Sequence, residues 1–235
     1  MKYKAIIFDL DGVICHTDQY HFQAWKQLAD RLGIPFNEQD NDRLRGVSRM
    51  ESLNIILEKS PRDYSAQEKL AFAEEKNEYY KKLLIQMTPS DLPEGVLETL
   101  QELRSRGLLL GIGSSSKNTK LILSRLGLAD FFAAVADGTE ISHSKPDPEV
   151  FLLAAEKLGV SPVEALVVED ADAGIKAAKA GEFFAAGIGP AAINPGADIS
   201  LVTLTDLLLY RMSKDQFRFF ATLLLDRKEC RGIYL

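Results

Sequence analysis

Tyr3-Lys4-Ala5-Ile6-Ile7-Phe8-Asp9-Leu10-Asp11-Gly12 begins as a short apolar run rich in isoleucine and breaks into two aspartates and a glycine. Such a run, bounded by a polar turn, suits a fully buried strand rather than a helix. Downstream of Pro89 and the turn at Pro93–Gly95, helical and strand patterns alternate. The expected order is helix Val96–Arg106, strand Leu108–Gly113, helix Lys117–Leu126, strand Phe132–Ala136, helix Pro148–Leu158, strand Ala165–Val168, helix Ala173–Ala180 and strand Phe183–Gly187. Alternation of this kind predicts an α/β fold, a Rossmann-like parallel sheet covered on both faces. Ligands of such sheets bind beyond the carboxyl ends of the strands, where this order gathers Asp9–Gly12, Ser114–Asn118 and Glu169–Asp170.

Between the first strand and Pro89 the period changes. Phe22, Trp25, Leu28, Ala29 and Leu32 share a helical face that Gly33 closes, Leu53, Ile56 and Leu57 mark a second helix, and Ala66–Leu84 reads as a third. Uninterrupted helical periodicity predicts an all-helical insert over residues 16–88, with the core domain formed by 1–15 and 89–210 and a tail at 211–235. In that tail Phe217, Phe220, Leu223 and Leu224 fit one amphipathic helical face.

With 235 residues and 46% hydrophobic content, the chain can bury a sizeable core. A net charge of −6 gives no basic field for nucleic acid or an anionic membrane, so an anionic substrate must be held by a few local cations. Cys15 and Cys230 form no metal-binding or disulfide pattern and read as reduced thiols. Without a signal-peptide pattern or a membrane-length apolar run, a cytoplasmic protein is expected.

Four clusters carry chemistry. In Asp9-Leu10-Asp11-Gly12 one carboxylate can attack phosphorus while the other gives and takes a proton, which assigns Asp9 as nucleophile and Asp11 as general acid/base; two solvated turn aspartates are the plain alternative. Glu169 and Asp170, with Asp9, offer the oxygen ligands a hard cation such as Mg²⁺ prefers, although Asp170 and Asp172 also suit the start of a helix. Ser114, Ser115, Ser116, Lys117 and Asn118 open a helix with hydroxyls, N–H groups and a cation suited to phosphate, or else cap it. Lys145, in the loop His143-Ser144-Lys145-Pro146-Asp147-Pro148, can neutralise a transferring phosphoryl group or simply lie at the surface.

In that order, the four clusters resemble the haloacid dehalogenase superfamily of phosphotransferases, and the likeness runs through about Leu209. It implies that Asp9 is phosphorylated. It also implies that Mg²⁺ is held by the Asp9 carboxylate, the Asp11 carbonyl and Asp170 with Glu169 in or beside the shell, and that Ser114 and Lys145 bind the phosphoryl group. The segment Thr17…Tyr20-His21-Phe22-x-Ala24-Trp25, the run Arg45-Gly46-Val47-Ser48-Arg49…Ser52, Lys76 and Ser116-Lys117-Asn118 resemble the β-phosphoglucomutases within that superfamily.

This second likeness implies exchange of β-D-glucose 1-phosphate and β-D-glucose 6-phosphate, primed by β-glucose 1,6-bisphosphate. Arg49, Ser116, Lys117 and Asn118 would bind the distal phosphate, and His21, Trp25, Lys76 and Gly46, Val47, Ser48 and Ser52 would meet the sugar or the hinge. Packing is the plain reading of Trp25 and solvation that of Lys76. The expected partner is a small sugar phosphate and the expected state a monomer. Core residues alone leave open a phosphatase acting on a small phosphomonoester. His16 and Gln19 depart from the acids expected there, and Ala171 from a serine.

Overall fold

The computed structural model describes residues 3–44 and 48–210. Arg45, Gly46 and Val47, and the tail with its amphipathic pattern and Cys230, lie outside the described residues. The strand read first is β1, Ala5–Phe8, and all four of its residues are buried. It is followed by the helices α1 (Asp18–Leu32), α2 (Glu38–Asp42), α3 (Arg49–Leu57) and α4 (Ala66–Leu84). Then α5 (Val96–Ser105), β2 (Leu109–Gly113), α6 (Thr119–Arg125), β3 (Ala134–Ala136), α7 (Glu149–Leu158), β4 (Ala165–Glu169), α8 (Asp172–Ala180), β5 (Phe184–Ile188) and β6 (Ile199–Leu201) alternate.

The six strands lie in the order β3-β2-β1-β4-β5-β6 and every neighbouring pair is parallel. That order reverses between β1 and β4, the crevice where a doubly wound sheet binds its ligand. Period-two alternation sorts the strand side chains between two layers. Ile6, Phe8, Leu166 and Val168 join the apolar cluster under α5 and α6, while Ala5, Ile7, Ala165 and Val167 pack under α7 and α8. Two covered faces explain why β1 and β4 read as unbroken apolar runs.

Helices α1, α3 and α4 enclose an apolar cluster of their own, with Trp25, Leu28, Ala29, Leu53, Ile56 and Ala73, joined by Ile34, Phe36 and Leu44. Gly33 ends α1 in the left-handed conformation, donating its N–H to the Ala29 and Asp30 carbonyls. Ser65 and Glu68 form a reciprocal capping box that starts α4. One α-helix and one strand escaped the sequence reading. The five residues of α2 carry no apolar period, although Asn37 and Asp40 do form a capping box, and β6 spans only three residues at the sheet edge.

Candidate active site

Asp9 follows the last residue of β1, and its N–H donates to the Val168 carbonyl of β4 at 2.9 Å, which fixes the two strand ends side by side. Parallel register then sets Asp9 beside Glu169. Carboxylate oxygens of Asp9, Glu169 and Asp170 all lie within 4.8 Å of one another. Lys145 Nζ donates to Asp9 Oδ1 at 2.5 Å and to Glu169 Oε1 at 3.1 Å, while the other Glu169 oxygen accepts the Ala171 N–H at 3.0 Å. The Lys145 ammonium also stands 4.5 Å from the centroid of the Phe151 ring.

Two glycines make room for this cluster. A Cβ on Gly12, which has φ +81, would stand 2.1 Å from Asp170 Oδ2, and one on Gly174 would stand 2.0 Å from the Glu169 carboxyl carbon. Any other residue at 12 would meet both a strained backbone and an occupied volume.

The electrostatics follow from burial and crowding. Burial, reinforced by Glu169 and Asp9, pushes the Asp170 carboxyl up to about 8, and burial with the Asp9 charge pushes Asp11 up to about 7. Burial also raises Glu169. It works against the charge on Lys145, yet Asp9 and Glu169 prevail and hold its ammonium above the ordinary lysine range. Among the described residues, Asp9 and Glu169 both face the Lys145 ammonium, with Asp170 beside them. A hard divalent cation bound through carboxylate oxygens answers that excess, and Asp9, Glu169 and Asp170 provide the donor set for one.

Asp11 lies one turn on and accepts the hydroxyl of Thr17, which immediately precedes α1. Its carboxyl therefore faces the helical side of the crevice. Along the next strand end, Ser114 is buried and its Oγ accepts the Ser116 N–H at 3.2 Å, and Ser116 Oγ accepts the Asn118 N–H at 3.2 Å. The chained serine turns point N–H and hydroxyl groups along one loop at the start of α6. The hydroxyl of Ser115 is buried without a hydrogen-bond partner among the described residues, and Lys117 is exposed.

Opposite this edge the helices supply cations. Lys76 on α4 is 3% exposed; its Nζ lies 2.9 Å from His21 Nδ1 and over the Trp25 and Tyr80 rings, 4.6 and 4.5 Å from their centroids. Burial, then the nearby Arg49 charge, lowers the Lys76 ammonium to about 7. His21 is held well below the ordinary histidine range by burial and by those same two cations. Arg49, the first residue of α3, is itself lowered by burial. Its guanidinium donates to Asn77 Oδ1 at 3.0 Å, and the Asn118 side-chain amide donates to the same oxygen at 3.1 Å.

The structure therefore brings Asp9, Lys145, Glu169 and Asp170 together, sets Asp11 and the serine turn beside them, and groups His21, Lys76 and Arg49 across the crevice. Trp25 is 2% exposed inside the helical cluster, as its plain packing reading expects, and its ring underlies Lys76. Ser48 caps α3, its Oγ accepting the Glu51 N–H at 3.3 Å, and Ser52 is buried in that helix. Gly46 and Val47 lie outside the described residues. His16 and Gln19 are exposed. Asp172 is the first residue of α8, where an acid suits the helix dipole, and its carboxylate accepts from the Asn194 side chain at 2.6 Å. Asn77 was missed altogether, because its neighbours Glu74, Glu75, Lys76 and Glu78 make it read as part of a solvated helix face.

Among the described residues no helix is long and apolar enough to cross a membrane. The sequence profile of the haloacid dehalogenase-like hydrolases matches residues 3–181. The chain is 43% identical to a β-phosphoglucomutase of Bacillus subtilis over 88% of its own length and 92% of that protein. It is 34% identical to a phosphorylated carbohydrates phosphatase of Thermotoga maritima, over 75% of this chain and 80% of the other. The crystal structure of a β-phosphoglucomutase from Clostridium difficile superposes with a TM-score of 0.82 at 37% identity, covering 94% of this chain and 99% of that one.

Proposed function

Because the chain belongs to the haloacid dehalogenase-like hydrolases, we propose that it interconverts β-D-glucose 1-phosphate and β-D-glucose 6-phosphate through an aspartyl phosphate on Asp9. The observation that supports this reading is two separate groups of side chains suited to phosphate: Lys145 and Ser114 at the strand ends by Asp9, and Arg49 with Asn118 where the helical segment meets the core. A phosphatase needs only the first. A mutase must hold a bisphosphate in two orientations, with one phosphate reacting and the other anchored.

In the proposed cycle a sugar hydroxyl attacks the phosphorus of phosphorylated Asp9, the bond from phosphorus to the Asp9 oxygen breaks, and Asp11 takes the hydroxyl proton. The bisphosphate then turns over in the crevice. The Asp9 carboxylate attacks the other phosphorus, the bond to the sugar oxygen breaks, and Asp11 returns the proton to that oxygen. An Asp11 carboxyl raised to about 7 suits both directions, since its proton is neither tightly held nor fully lost near neutrality. Lys145 stabilises the charge that builds on the transferring oxygens. Asp9, Glu169 and Asp170, with the Asp11 backbone carbonyl, would hold Mg²⁺, which when bound neutralises phosphate charge. Residues 16–88 act as a cap over the core and exclude the water that would turn transfer into hydrolysis. β-Glucose 1,6-bisphosphate serves as primer by phosphorylating Asp9.

Hydrolysis of a small phosphomonoester is the competing reading, supported by similarity to the Thermotoga phosphatase. A coupled assay that measures glucose 6-phosphate and inorganic phosphate together, with β-glucose 1-phosphate and the primer, separates the two. The mutase reading expects isomer to exceed phosphate by orders of magnitude, and expects Arg49→Ala to cut isomerisation about 100-fold through loss of a charge-assisted phosphate contact. Phosphate release exceeding isomer formation sinks it.

A further inference from the structure

We propose that Asn77 is a positioning residue for the distal phosphate: its side-chain oxygen ties Arg49 of the helical cap to Asn118 of the core and aims both at one anion without neutralising either. This rests on the reading of Arg49 and Asn118 as ligands of the non-reacting phosphate. Asn77 Oδ1 accepts from the Arg49 guanidinium at 3.0 Å and from the Asn118 amide at 3.1 Å, so both acceptor positions of one carbonyl oxygen are taken, one from each side of the crevice. Each donor spends a single N–H on this contact and keeps others for a ligand. Among the described residues Arg49 forms no ion pair with a carboxylate, Glu74 acting on it only through its charge, and the Arg49 charge in turn lowers both Lys76 and His21.

The residue type is as informative as the position. The stretch Glu74-Glu75-Lys76-Asn77-Glu78 is otherwise wholly charged, and its one neutral member is the residue that meets Arg49. An aspartate there would accept the same two hydrogen bonds but would add a negative charge beside the phosphate and quench the arginine that should attract it. Asparagine orients the guanidinium and leaves its charge for the substrate. Its contact with Asn118 also makes the geometry depend on the cap lying against the core, so the distal phosphate site is complete only when both sides meet.

The test compares Asn77→Ala, Asn77→Asp and Arg49→Ala, measuring steady-state KM for β-glucose 1-phosphate against KM for acetyl phosphate, a small phosphoryl donor to Asp9 that carries no second phosphate. The ratio of the two KM values should rise about tenfold in Asn77→Ala, the effect of one hydrogen bond to a charged group, and further in Asn77→Asp. Asn77→Asp retains both hydrogen bonds, so an intact ratio in that variant overturns the proposal by reducing Asn77 to a mere tie between helices. An unmoved ratio in Asn77→Ala overturns it as well. If Arg49→Ala raises the ratio while the Asn77 variants do not, this inference alone fails; if Arg49→Ala leaves it unmoved, the distal-phosphate reading itself is wrong.

Discussion

The two walls of the crevice carry opposite surpluses of charge. At the strand ends, Asp9, Glu169 and Asp170 crowd around one ammonium, and carboxyl groups are pushed upward toward their neutral forms. Across from them, Arg49, Lys76 and His21 crowd together within reach of the Glu74 and Asp11 charges, and the two basic side chains Lys76 and His21 are still pushed downward toward theirs. Burial is the larger cause in both places and like-charge repulsion adds to it, so each wall favours the neutral forms of its own groups. On the proposed function, one wall would receive a cation and the other an anion. A phosphorylated substrate carrying a metal ion is a ligand that satisfies both.

The severest way to break that comparison is to remove its anionic centre. Asp9→Asn should lower isomerisation by about four orders of magnitude or more, with no aspartyl phosphate detectable by mass spectrometry after incubation with the bisphosphate. Activity within tenfold of the parent would place the nucleophile elsewhere. Lys145→Ala sharpens the contrast instead, by removing the one ammonium between Asp9 and Glu169. Breaking a buried pair in this way costs about 3–5 kcal/mol, so a clear drop in Tm is expected. Millimolar Mg²⁺ should restore more of that loss than it adds to the parent protein; equal Mg²⁺ effects on both would mean that the carboxylates are not short of a cation.

On the cationic wall the comparison is sharpened through pH. The folded-state pKa of Lys76 is lowered to about 7 from an ordinary 10.5. Between those values the unfolded chain binds a proton that the folded chain does not, so the contribution of Lys76 to stability rises with pH across that window. Below about 7 the full cost of burying the ammonium is present. Lys76→Met should therefore stabilise the protein at pH 6 and leave it nearly unchanged above pH 10, as followed by urea denaturation. A constant difference at both pH values would mean that Lys76 does not change its protonation on folding.

The anionic wall was legible in the sequence because its residues sit where apolar runs stop. Phe8 to Asp9 and Val168 to Glu169 are abrupt junctions, and a parallel sheet places such junctions side by side whatever lies between them in the chain. Helix α4 was legible from its helical pattern over Ala66–Leu84, the same residues the structure gives it. The cationic wall was harder to read. His21, Lys76 and Arg49 come from three helices whose mutual angles depend on packing, and their expected roles came from family likeness rather than from spacing. For Trp25 the likeness points to the substrate and the apolar face of α1 to packing, and the structure buries it in the helical cluster. Asn77 carried no local signal, because its meaning arises only when Arg49 and Asn118 approach it from distant parts of the chain. The three residues of β6 show a related limit: an edge strand that short has too few positions to display a period.

Gly12 and Gly174 show that part of the anionic wall is moulded in negative. The carboxyl groups of Asp170 and Glu169 occupy the space where side chains at those two positions would begin. Neither glycine touches a reacting atom, yet together they decide how near the acids can come to Asp9. Redesign of the metal preference by exchanging acids alone therefore has little freedom, because the reach of each acid was set by a hydrogen atom elsewhere in the chain.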